Sequence, residues 1–129
     1  MDSILVPVSP AELLDKITIL EIKSERMTDP AKLNNVRLEL ELLRLTWSKL
    51  IRDDHAVQVL HTRLREVNEA LWRIEDDIRD KERSREFDER FVELARSVYI
   101  TNDRRSQIKK ELNLLLGSRL LEEKSYQAY

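Results

Sequence analysis

The sequence predicts an all-α protein, an up-down bundle of about four long antiparallel helices, and three observations carry that prediction. A single glycine and three prolines in 129 residues are too few for a fold built on many tight turns. Charged residues make up 37% of the chain and are interspersed with leucine, the composition of long amphipathic helices. Apolar residues recur in alternating steps of three and four over long stretches, which keeps one face of a helix apolar and suits helices packed at shallow angles.

The first helix is expected over residues 10–27. Its start is written in "SPAE", where Ser9 caps the helix, Pro10 occupies the first turn and Glu12 reaches back to the cap. The second, over 30–52, begins at Asp29-Pro30 and carries Leu33, Val36, Leu40, Leu43, Trp47 and Leu50 on one face. The third, over 55–83, is capped by Asp53 or Asp54 and carries Val57, Leu60, Leu64, Val67, Leu71, Ile74 and Ile78. The fourth, over 88–116, is capped by Asp88 and ends before Gly117, which suits a left-handed residue after a helix. Its inward series starts Phe91, Ala95, Val98 and continues in phase through Asn102, Arg105 and Lys109 to Leu112. A loop has no reason to preserve that phase, so "TNDRR" is read as a polar layer in one unbroken helix. The rival is a short break capped by Thr101 or Asn102. At the ends, "ILVPV" and the tyrosine-bearing stretch after Gly117 are expected to pair as a small antiparallel β ribbon, with Pro7 on an unpaired edge.

One domain of residues 1–129 accommodates all of this. Lys and Arg total 23 against 25 Asp and Glu, with the signs mixed, so no global field draws the chain to nucleic acid or to a membrane surface. There is no cysteine, hence no disulfide or thiolate site, and no apolar run of membrane-spanning length or signal-peptide form. The expectation is a soluble cytoplasmic protein without a cofactor.

Three blocks, "VPVSPAELLDKITILEIKSERMTDPAKLNNV", "FVELARSVYITNDRRSQIKKELNLLLGS" and "EEKSY", together resemble a bacterial family of short helical proteins known only as a domain of unknown function. The resemblance covers nearly the whole chain. It implies one full-length domain and carries no activity to any residue.

Candidate chemistry is sparse. Glu66-x-x-Glu69 and Asp77-x-x-Asp80 imitate the paired carboxylates of helical Mg²⁺-dependent pyrophosphohydrolases, but these residues and Asp76 fall opposite the Leu71/Ile74 seam and alternate with arginines, as on a solvated face. His55 and His61 lack partners at metal-binding spacing. The first helix is more telling. Leu13, Ile17, Leu20 and Met27 form one stripe, while Leu14, Ile19 and Ile22 spread apolar surface to other sides and leave Asp15 among them. A buried acid needs a partner, and Arg104 or Arg105 is the natural one. Asp15, Asn102, Arg104, Arg105 and Lys109 then form either a structural polar layer or an anion-binding site. The second helix also carries Leu38, Leu42 and Leu45 opposite its main seam, an apolar face that predicts a homodimer. The reading that follows is a helical interaction or assembly module, with self-association or another protein as partner. The alternative is a small enzyme or sensor holding a phosphate- or carboxylate-bearing metabolite between helices.

Overall fold

A computed structural model describes all 129 residues. It contains four helices and no strand: α1 (Pro10–Arg26), α2 (Pro30–Leu50), α3 (His55–Ser84) and α4 (Glu89–Leu115). Each begins at a side-chain oxygen that accepts a backbone N–H of the first turn. Ser9 Oγ takes the N–H of Glu12 at 3.1 Å, Asp29 that of Lys32 at 3.0 Å, Asp54 that of Val57 at 3.0 Å, and Asp88 that of Phe91 at 3.0 Å. Of the two candidate caps for α3, the chain uses Asp54. α4 runs unbroken through Thr101–Arg105.

Helix α1 is the centre of the molecule. Ala11, Leu14, Asp15, Ile17, Thr18, Leu20 and Ile22 are all buried, and it has close backbone contacts with each of the other three helices. Its polar contacts shift from α4 to α3 along its length. Ala11 and Glu12 reach Asn113 and Lys109 of α4, Asp15 reaches both Arg105 of α4 and Asn68 of α3, and Glu21 reaches His61 and Arg65 of α3. Ion pairs from Arg63 to Glu111 and from Lys81 to Asp88 show that α3 and α4 form an antiparallel hairpin. α1 is therefore laid across this hairpin. Helix α2 makes its close backbone contacts with α1 alone. Leu14, Ile17 and Leu20 form one core with Val36, Leu40 and Trp47 of α2, Val57, Leu60 and Leu64 of α3, and Ile108 and Leu112 of α4.

Two expectations change. The inward face of α4 uses Leu94 (3% exposed) where the spacing put Ala95, which is exposed, and Thr101 is buried where Asn102 is only half-buried. Phe91, Leu94, Val98, Thr101, Arg105, Ile108 and Leu112 also step by three and four, so two overlapping seams obey the rule, and α4 buries Leu94, Thr101 and Ile108 of this one together with Lys109 of the other. The β ribbon does not form: residues 1–8 and 118–129 carry no strand. The C-terminal segment turns back along α4 instead. Glu122 reaches Lys109, Lys124 approaches Asp103, and Tyr129 donates its hydroxyl to Asp103 while its ring lies against Tyr99. Charged partners on α4 hold that segment, whereas Pro7 offers no N–H to a ladder.

Left-handed backbone occurs after α3 at Arg85 (φ 56°) and after α4 at Gly117 (φ +68°). At Gly117 the N–H of Ser118 returns to the carbonyl of Asn113 at 2.9 Å, closing the helix end. A Cβ at Gly117 would meet nothing within 4 Å, so only backbone strain opposes a side chain there. Gly117→Ala is expected to destabilise by about 1 kcal/mol, and Arg85→Gly to stabilise by up to about 1 kcal/mol. Chemical denaturation of the two variants should give shifts of opposite sign.

Candidate functional site

The buried polar layer is built on Asp15, which is 1% exposed between Leu14 and Ile17. A carboxylate removed from water needs hydrogen bonds on both oxygens. Arg105 supplies them as a fork, Nε donating to Oδ1 at 2.9 Å and Nη2 to Oδ2. Asn68 Nδ2 adds a third bond to Oδ1 at 3.0 Å and also donates to Thr18 Oγ1 at 2.8 Å, while Thr18 donates to the Asp15 carbonyl. The Asp15 carboxylate beside Arg105 holds the guanidinium above its ordinary pKa despite partial burial.

Lys109 forms the second half of the layer. It is buried, with Nζ 2.8 Å from Glu12, 2.9 Å from Glu122 and 3.9 Å from Asp15. Burial alone would lower its pKa, but the carboxylates of Glu12 and Glu122 outweigh that and hold it above 10.5. Glu12 consequently does not complete a capping box: its carboxylate goes to Lys109. An ammonium in the interior demands a counter-charge more strongly than an exposed cap N–H demands an acceptor. Asn102 Oδ1 accepts a long bond of 3.4 Å from Arg105 Nη1. Arg104 is exposed and stands outside the layer.

Two members escaped the sequence reading. Asn68 (5% exposed) lies four residues after Leu64 and three before Leu71, a path as regular as the one through Val67. Asn113 (2% exposed) lies four residues after Lys109; its Oδ1 accepts the N–H of Ala11 at 2.9 Å and its Nδ2 donates to Ser9 Oγ at 3.2 Å. It ties the end of α4 to the start of α1. The available signal was the polar stripe Asn102, Arg105, Lys109, Asn113.

A separate cluster surrounds Glu21, further along α1. Arg44 Nη2 (3.2 Å), His61 Nε2 (3.2 Å) and Arg65 Nη1 (3.3 Å) converge on it, and Arg65 also meets Glu25 and Glu69. Burial raises the Glu21 pKa, but His61 and the two arginines overcome this and hold it below 4.5. His61 is thus half-buried in an ion cluster, while His55 is exposed. Glu66, Asp76, Asp77 and Asp80 are exposed and Glu69 is half-buried. No three His, Asp or Glu side chains converge as a metal-binding group.

Elsewhere, Leu38, Leu42 and Leu45 on α2 are 60%, 57% and 51% exposed, with no element of the chain covering them. No helix is long and apolar enough to cross a membrane.

Residues 4–129 match a family of unknown function (DUF6165), and the chain belongs to that family. No curated protein and no solved structure matches the chain.

Two predictions follow from the charges. Arg105→Met leaves Asp15 buried without its counter-charge and is expected to cost about 3–5 kcal/mol, whereas Arg105→Met combined with Asp15→Leu should recover most of that loss in a double-mutant cycle. For Glu21 the folded pKa is depressed, so its stabilisation is present above the unfolded value near 4.5 and is lost as pH falls through the lower folded value. Glu21→Gln should therefore be less stable than the parent at neutral pH, with the gap closing under acid; urea midpoints across pH 2 to 7 would read it, to about 0.2 M in midpoint.

Proposed function

We propose that this member of the family is a helical assembly module that pairs with a second copy of itself through the outer face of α2. The observation that carries this reading is the row Leu38, Leu42 and Leu45, half or more exposed on a helix held by the rest of the chain only along its opposite face. Its spacing extends the three-four alternation to Asn35 and Lys49, so an apolar centre is bracketed by polar positions. Such polar positions penalise slipped pairings and so set register. A second copy presents the same stripe, and two-fold pairing covers both at once.

The polar layer supports this reading from the other direction. Its two cations, Arg105 and Lys109, already face Asp15, Glu12 and Glu122, which leaves no surplus positive charge to hold an anion. Paired in this way, the layer acts as a register device that orients α1 on the α3–α4 hairpin and so fixes where α2 is displayed.

Light scattering at high micromolar concentration is expected to give twice the chain mass. Leu42→Glu should return the monomer with unchanged helicity, because replacing a leucine by a charge on both sides of the pair costs about 3 kcal/mol or more, over a hundredfold in affinity. A monomeric parent at that concentration would sink the proposal.

A further inference from the structure

The outer half of α2 carries more than its three leucines. Asn35, Leu38, Leu42, Leu45 and Lys49 form its centre line, Asn34 and Glu41 lie along one edge, Glu39 and Thr46 lie along the other, and all of them are exposed. Two ways of laying this face on a second copy bring different residues together. Parallel pairing in register sets each centre residue against its own counterpart and each edge against the opposite edge of the other helix. Antiparallel pairing sets each edge against the same edge.

Antiparallel pairing has two registers that keep two leucine layers, and both meet conflicts. In the first, Leu38 meets Leu42 of the second copy, but Leu45 is set against Asn35, Glu39 against Glu39 and Glu41 against Glu41. In the second, Leu42 meets Leu45 of the second copy and Leu38 is set against Lys49. Each register strands a leucine on a polar side chain, and the first also opposes like charges on both edges.

Parallel pairing in register removes these conflicts. All three leucines meet leucine. Asn35 meets Asn35, and an amide both donates and accepts, so the two side chains satisfy each other. Glu41 falls beside Thr46 and Asn34 beside Glu39, so no acid faces an acid across the seam. The like charges brought together on the centre line are those of Lys49, in the last turn of α2, where a long side chain carries its ammonium out to water.

Resting on the self-pairing put forward above, we propose that the two copies lie parallel and in register along α2, with the Asn35 amides hydrogen-bonded across the two-fold axis. The pair then has a polarity: like ends of the two bundles lie side by side, where antiparallel pairing would send them to opposite ends.

The chain has no cysteine, so introduced thiols report the orientation directly. Ala31 lies one step before Asn35 on the same line and is exposed. In the parallel pair Ala31→Cys faces its own counterpart, whereas in either antiparallel register the two thiols are about 25 Å or more apart along the axis, and in the first of them position 31 lies beside position 49. With oxidised glutathione as the oxidant, Ala31→Cys is expected to form an interchain disulfide in most of the protein. Adding Leu42→Glu should abolish that link, which excludes random collision. A co-refolded mixture of Ala31→Cys and Lys49→Cys should give links between like positions and none between 31 and 49. Asn35→Leu should tighten association about tenfold, because an amide layer holds register at a cost in stability. A parent that is monomeric in light scattering removes the pairing itself. A parent of doubled mass that gives no link at position 31, gives a link between 31 and 49, or is not tightened by Asn35→Leu overturns the parallel register alone.

Discussion

A carboxylate cannot be taken out of water alone, and the structure depends on how that constraint is met at Asp15. α1 is buried on most of its circumference, so an acid placed among Leu14, Ile17 and Thr18 has no route to solvent. Its charge must be answered from neighbouring elements, and the answers come from both arms of the hairpin: Arg105 of α4 and Asn68 of α3. Apolar contacts would tolerate several orientations of one helix laid across two others. A fork between Asp15 and Arg105 tolerates few, because two parallel hydrogen bonds fix both distance and angle. The polar layer thus supplies direction to a core of aliphatic residues that supplies cohesion.

The same logic organises what surrounds the layer. Lys109 sits one turn beyond Arg105 and brings a second positive charge into the interior, which draws Glu12 out of its capping role and brings Glu122 back from beyond the last helix. The C-terminal segment thereby lies along α4 although none of its residues after Ser118 is buried. Glu21 repeats the device towards α2 and α3, with Arg44, His61 and Arg65 around a single carboxylate. Each face of α1 that meets another helix therefore carries an acid with named partners, and α2 is oriented by the third of these faces. Its leucines point outward because its inner stripe, Val36, Leu40 and Trp47, is committed to α1.

What the sequence by itself determined is the set of elements. Ser9, Asp29 and Asp88 mark three helix starts, Gly117 marks an end, and apolar periodicity fills the intervals, since capping and amphipathicity act between residues a few positions apart. The inward direction of a polar stretch in α4 was also legible, because periodicity runs through it. Only the tertiary structure decided that α4 would bury Leu94 and Thr101 in place of Ala95 and Asn102, that Asn68 and Asn113 complete the layer, that Arg105 and not Arg104 meets Asp15, and that the last residues return along α4 without pairing as a strand. Those choices depend on contacts beyond the reach of local spacing, from Tyr129 on Asp103 with a separation of 26 to Asp15 on Arg105 with a separation of 90. Local spacing leaves such alternatives equal in energy, and they are separated only when a buried charge or amide finds its partner across the core.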